Sequence, residues 1–436
     1  MLTRRCPQAV TIVLVSLVAG CPILAQQPPE TPAITPAASP TPTPPMPAPQ
    51  VQPTQAPAAQ TPPPQNTPVG ESNPSAVSPQ NAVTAPASQP NAPYSVIDEK
   101  NQPSFNVKGQ QLFSPGQLPN TAVNFNERDL FSVLYNVRRY FSTAAQADPN
   151  ILREGLLGTQ GVTVADTMKT LDFMISVLYE DILSNRPTRL KDPKFINDNF
   201  KVIKWKPYNP KSPEQSQLRI TKYAVFRHLG SRTKTAEFTT PIYQINDQFA
   251  NDGFQNRYTK QQVLSGIFNA GGVEAGKVKP IAYLSREGLE DALLQGTVLI
   301  KFPDGGSAFF NVDRNNGMQY VRGVKQRSQK RYWYFKEVKA IKGYGGENVE
   351  KIPVKPGVTF AGDILNIGLG KIIVIEQGTG ANKKLQLGAI ADTGGAFLPN
   401  LHQLDFLAGI FQNKADFQTY LNKHSDYAGA YILVKR

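Results

Sequence analysis

The sequence predicts a mainly β fold preceded by a pair of helices, and three observations carry that prediction. After Pro193, stretches such as Phe200–Trp205 and 218–226 alternate apolar and polar residues, the period that puts every second side chain on one face of a strand. Before Pro193 the apolar residues recur in steps of three and four, as on one face of a helix. Ahead of both, the chain is so rich in Pro, Ala, Gln, Thr and Ser that it lacks the apolar area to fold.

Taken in order, residues 1–25 read as a secretory signal, with Arg4 and Arg5 before an apolar core at 9–19 that is too short to span a bilayer. Two exits from it stand open. Val18-Ala19-Gly20-Cys21 resembles a lipoprotein signal, in which a lipidated Cys21 would tether the protein to a membrane, whereas Ile23-Leu24-Ala25 suits ordinary cleavage before Gln26. Cys6 and Cys21 are the only cysteines, so the mature chain has no disulfide and must be stabilised by its core. Residues 26–100 form a linker, whose Pro-rich stretch 26–93, at about 3.1 Å per residue in polyproline-like form, reaches up to about 200 Å. The net charge of +13 therefore belongs to the folded part, and an acidic polymer is its natural partner. For an exported protein that means anionic wall polymer or lipid headgroups more readily than nucleic acid.

A helical region is expected over 101–199. Leu130, Leu134, Val137 and Phe141 make one stripe with Asn126 as its cap, and Val164, Met168, Leu171, Ile175, Leu178 and Ile182 make a second, with Pro187 beyond its end. Strands follow at 200–205 and 218–226, then a hairpin of 298–302 and 308–312 around Asp304-Gly305-Gly306. More are expected at 332–341, 371–376, 384–391 and 430–435. The basic run from Arg322 to Lys342 interleaves cations with Tyr332, Trp333, Tyr334 and Phe335, a pattern shared by stacking surfaces for nucleic acid, by a surface for an anionic glycan and by an exposed turn entering an ordinary strand.

The chemistry falls to carboxylates. His228, His402 and His424 have no metal-ligand spacing, no phosphate loop or Gly-x-Ser-x-Gly elbow occurs, and neither metal nor cofactor is expected. In Leu387-Gly388-Ala389-Ile390-Ala391-Asp392-Thr393-Gly394-Gly395-Ala396-Phe397 an apolar run ends at an acid, and a second acid returns in Leu404-Asp405-Phe406. Apolar surroundings raise a carboxyl pKa and suit it to donate a proton near neutrality. The plainer alternative is that Asp392 opens a turn and Asp405 caps a helix from Phe406. Asp392-Thr393-Gly394 is also the aspartic-protease triplet, but no second copy supplies that class's second acid.

Several separated segments together resemble the membrane-bound lytic transglycosylase A family, whose barrel carries the three-aspartate domain. They are Thr359-Phe360-Ala361-Gly362-Asp363, Ile367-Gly368-Leu369-Gly370, Asp392-Thr393-Gly394-Gly395-Ala396-Phe397, Leu404-Asp405-Phe406 and Tyr427-Ala428-Gly429-Ala430-Tyr431-Ile432-Leu433. Upstream, Arg219-Ile220-Thr221-Lys222-Tyr223, Gly230-Ser231-Arg232-Thr233, Pro241-Ile242-Tyr243, Lys279-Pro280-Ile281-Ala282-Tyr283, Gln295-Gly296-Thr297 and Asn316-Gly317-Met318-Gln319-Tyr320 follow the family's order.

The resemblance implies a double-psi β-barrel from 200–245 and 340–436, with a second β-domain inserted at 246–339. It implies an exported enzyme of the periplasm or cell envelope, an outer-membrane lipoprotein if Cys21 is lipidated. Its substrate would be peptidoglycan glycan strands, cut at the β-1,4 bond from N-acetylmuramic acid to N-acetylglucosamine to leave a 1,6-anhydro end. Carried over, Asp405 would be the catalytic acid and base, Asp392 and Asp363 would support it, and Tyr223, Gln295, Thr297, Tyr320 and Thr393 would touch sugar. This sequence departs from the family at Tyr223-Ala224, at Gln295-Gly296-Thr297-Val298 and in the loop Pro399-Asn400-Leu401-His402. A peptidoglycan-binding module without catalysis is the alternative those changes raise.

Overall fold

The two expected helices form at Glu127–Ala144 and Val164–Leu183. In the computed structural model of the protein the described residues are 92–321, 323–346, 350–394 and 397–436. The signal segment, Cys21, the linker through residue 91, Arg322, Gly395 and Ala396 lie outside them. Among the described residues, no helix is long and apolar enough to cross a membrane.

Asn126 accepts from the Asp129 N–H at 3.0 Å and starts the first helix, whose Leu130, Leu134, Val137 and Phe141 are all buried. Thr163 and Asp166 cap the second helix reciprocally. Its buried face is rotated from the Leu and Ile stripe, because Thr167, Thr170 and Asp181 also turn inward. Each finds a partner there: Thr167 with the Lys371 ammonium, Thr170 with the Lys435 N–H, and Asp181 with Arg186, Thr188 and Arg189. Hydrogen bonding lets these polar groups replace apolar ones inside.

The strands in chain order are β1 (Tyr94–Ile97), β2 (Pro103–Val107), β3 (Phe113–Pro115), β4 (Val123–Asn124), β5 (Phe200–Trp205), β6 (Leu218–Leu229), β7 (Thr240–Ile245) and β8 (Val278–Leu284). They continue as β9 (Thr297–Lys301), β10 (Ser307–Asn315), β11 (Trp333–Val338), β12 (Thr359–Ala361), β13 (Ile372–Gln377), β14 (Lys384–Asp392), β15 (Gln403–Phe411) and β16 (Tyr427–Lys435). β6, β15, β12, β14, β13 and β16 are hydrogen-bonded in that order, and β16 returns to β6 at Tyr427–Arg219 and Ala428–Leu218. This ring is the expected double-psi β-barrel, with β15 parallel to β6 and β12 parallel to β14. The helices pack on it where Gly370, at φ +74°, leaves no room: a Cβ there would lie 3.0 Å from the Phe141 ring.

The far half of β6 continues the sheet into β9, β10 and β11, with the predicted hairpin closed at Asp304-Gly305-Gly306. Against it β7 and β8 enclose a second core that includes Ile242, Phe254, Phe310, Tyr332, Tyr334 and Phe335. Three of the four aromatics of the basic run are thus core residues, and only Trp333 reaches a cleft. Alternation accounts for Tyr332 and Tyr334, but not for Phe335, which follows Tyr334 directly and is buried as well.

Three expectations need correction. The linker reaches residue 100 by composition, yet β1 starts at Tyr94, because Val96 and Ile97 bury against the barrel side and Asn366 pairs with both the N–H and the C=O of Ile97. The region 101–199 holds β2, β3 and β4 besides its helices, and β3 joins the edge of the barrel sheet through β5. The inserted part begins before 246, because β7 pairs with β8 and turns Ile242 and Tyr243 into the second core.

Candidate active site

Strand register builds the site. Thr221 of β6 stands opposite Asp405 of β15, Asp405 opposite Ala361 of β12, and Ala361 opposite Asp392 of β14. Side chains on one rung share a face, so the two acids look out on the same side, with their Cα atoms two strand spacings or about 10 Å apart. Asp405 lies in mid-strand and caps no helix.

Asp405 is half-buried between Leu404 and Phe406, and its Oδ1 has no hydrogen-bond partner. Burial pushes its carboxyl from 3.8 up to about 7, the Thr221 hydroxyl opposing and the field of Asp392 adding to the rise. Asp392 is also driven up by burial, to about 6. It is held against that shift by the Tyr223 hydroxyl, which donates to its Oδ2 at 2.7 Å, and by the Thr393 N–H, which donates to Oδ1 at 2.8 Å. Asp392 is the last residue of β14, and the Thr393 hydroxyl fastens the chain beyond it to the Gly362 carbonyl at 2.8 Å.

Asp363 is of another kind. It is fully buried and accepts from the N–H groups of Leu365, Asn366 and Asn400 and from the Asn366 amide at 2.9 to 3.2 Å. Burial raises its carboxyl to about 6 despite these donors. It ties the turn Ile364–Gly368 to the loop before β15 and so positions the strand that carries Asp405.

A cleft of about 270 Å³ opens between the barrel and the inserted part. It brings together Tyr223, Gln295, Thr297, Asp392 and Thr393 of the predicted residues. Gln295 accepts from the Ala224 N–H at 3.3 Å, and the Thr297 hydroxyl accepts from the Asn311 amide at 2.6 Å. Asp405 and Asp363 are not among its walls, and neither is Tyr320. Tyr320 stands exposed on the inserted part, joined to the cleft through Arg331, whose guanidinium lies 5.2 Å from its ring and 4.0 Å from that of Trp333. Larger clefts near Gln117 and Tyr208 hold no comparable pair of acids.

Sequence reasoning missed Asn311, Tyr344 and Lys351 in the cleft, and named Trp333 only as one ring of the basic run. Tyr344 is fixed from below by the helical region: it meets Tyr140 edge-on at 5.8 Å, and Tyr140 donates to the buried Asp148 at 2.9 Å while accepting from the Gly346 N–H at 2.7 Å. No periodic signal marks such residues.

No family model matches the sequence, and no curated protein matches it. Solved structures do. The membrane-bound lytic murein transglycosylase from Agrobacterium tumefaciens superposes with a TM-score of 0.51 at 18% identity, over 74% of this chain and 98% of that one. The chain has the fold of that transglycosylase. E. coli MltA with bound chitohexaose follows at a TM-score of 0.48 and 16% identity, over 74% and 95% of the two chains. MltA from Neisseria gonorrhoeae is at 0.46 and 15%, over 74% and 97%. In a transglycosylase fold of this kind the Asp405 rung belongs to the barrel, and Gln295, Thr297 and Trp333 belong to the inserted part across the cleft.

Proposed function

We propose that the protein is a peptidoglycan lytic transglycosylase and that Asp405 is its acid and base. The observation that carries this reading is the state of Asp405: a carboxyl with one unpartnered oxygen and a pKa near 7, beside a cleft lined by a second acid, a Tyr, a Gln and a Thr. A carboxyl that titrates near neutrality both gives up and takes back a proton readily.

Asp405 donates its proton to the glycosidic oxygen as the bond from C1 of N-acetylmuramic acid to that oxygen breaks. The resulting carboxylate then takes the proton of the sugar's own C6 hydroxyl as its oxygen bonds to C1, which leaves a 1,6-anhydro end. An internal nucleophile needs no second carboxylate to activate water, and its proximity replaces much of what a hydrolase supplies with its second acid. Asp392, braced by Tyr223 and Thr393, acts as a fixed negative charge that keeps the Asp405 proton in place. Gln295 and Thr297 meet the glycan from the inserted side, and Tyr320 extends the contact beyond Arg331.

An export signal and a long linker support a place for such an enzyme in the cell envelope, tethered through a lipidated Cys21 or freed by cleavage before Gln26. Digestion of purified sacculi followed by mass spectrometry tests the reaction. Anhydro-muropeptides are the expected product; reducing-end sugars would refute the internal attack, and sacculus binding without any product would leave a binding module.

A further inference from the structure

Lys351 lies on the cleft wall, where its charge helps hold down the Asp392 carboxyl, and the sugar chemistry above gives it no contact with the glycan. Its stem packs under Gly345 so closely that a Cβ there would come within 2.8 Å of the Lys351 Cα. The backbone is equally fixed, since the next residue, Ile352, both donates to the Tyr344 carbonyl at 2.7 Å and accepts from the Gly343 N–H at 2.8 Å. The ammonium crosses from this wall toward the inserted part and donates to the Val312 carbonyl at 2.8 Å.

An ammonium has three N–H donors, and only that one is used among the described residues. None of the carboxylates among them comes within the 4 Å of an ion pair, although the fields of Asp392 and Asp313 reach it. Its neighbour Lys342, by contrast, is neutralised by Glu350 at 2.8 Å. Partial burial of a charge without a counter-ion is costly, and the cost is recovered when an anion arrives with the ligand.

We propose that the Lys351 ammonium is the anion-recognition point of the cleft and selects glycan whose sugars carry carboxylates over neutral glycan. The proposal rests on the reading of the cleft as a glycan site. The carboxylate has two sources in such a polymer, the lactyl group on the sugar or the peptide attached to it, and both present the same group to the ammonium. Binding recovers the unused donors and gives the ammonium a hydrogen-bonded carboxylate where the chain supplies only the more distant fields of Asp392 and Asp313.

Isothermal titration of the full-length chain in an Asp405→Asn background, which prevents turnover, tests this with three probes: peptide-bearing glycan strands, denuded strands with free lactyl carboxylates, and neutral chitohexaose. The protein with Lys351 should bind at least one acidic probe about tenfold more tightly than chitohexaose, the worth of one charge-assisted hydrogen bond. Lys351→Met should erase that preference, and Lys351→Arg, which keeps the charge, should retain most of it. Tighter binding of denuded strands assigns the lactyl group, and preference for peptide-bearing strands alone assigns the peptide. The proposal is overturned if Lys351→Met keeps the preference, if it weakens acidic and neutral probes alike, as a mere strut between the two walls would, or if no preference exists. Binding of none of the three probes by the Lys351 protein would instead sink the glycan reading, and this inference with it.

Discussion

Replacing Asp405 by Asn should stop product release and, in alkaline solution, make the protein more stable. Burial holds the carboxyl proton to about pH 7, against 3.8 in an open chain. The folded state therefore binds this proton more tightly than the unfolded chain does. Below about pH 3.8 the group costs nothing; the penalty grows as pH rises and is complete above about 7. Three units at about 1.36 kcal/mol each set a ceiling near 4 kcal/mol, and since the residue is only half-buried a gain of about 2 kcal/mol is the better expectation. Denaturant midpoints of native and Asp405→Asn protein at pH 5 and pH 8.5 measure it. The gain should be complete at pH 8.5 and fall to roughly two-fifths of that at pH 5. An equal gain at both, or a loss at the higher pH, would refute the burial argument, and retained activity would remove Asp405 from the chemistry.

Two further outcomes follow from single contacts. Tyr223→Phe deletes the 2.7 Å bond that holds down the Asp392 pKa, so that carboxyl should titrate above its present value of about 6. Initial rates on soluble strands should then fall about tenfold, with the acid limb of the pH profile moved to higher pH; an unchanged profile would separate Tyr223 from the reaction. Asp363→Ala strands four buried donors and should destabilise the fold by about 3–5 kcal/mol in a denaturant titration, with Asp363→Asn losing less. A loss below about 1 kcal/mol would contradict its role as a fastening point.

Periodicity made the two helices and most barrel strands readable, because a helix face and a strand face each repeat within a few residues of sequence. It failed where burial is settled elsewhere. β12 has three residues, too few for any alternation, yet it is the strand that sets Asp405 and Asp392 on one rung. β1 looked like the end of the linker by composition, and what orders it lies beyond it: β2 pairs with it, and Asn366, far along the chain, holds both backbone groups of Ile97. The acids themselves were visible by their apolar neighbours. Their division of labour was not: Asp363 and Asp405 both follow small or apolar residues, and what separates them is that one faces four N–H donors and the other leaves an oxygen unpaired. Lys351 escaped notice because a lysine between Glu350 and Ile352 has no local signature; the opposite wall gives it meaning.

The ring of strands draws on distant parts of the chain, whereas the second core is one continuous stretch from Ile242 to Phe335. A polypeptide that emerges from its N-terminus can therefore complete the far wall of the cleft long before β15 exists. Until β15 slots between β6 and β12, Asp405 is an ordinary solvated acid with its proton gone at neutral pH. The working carboxyl is created when β15 enters the barrel, so a chain that stops short of it carries the residues of the cleft walls and none of the reactivity.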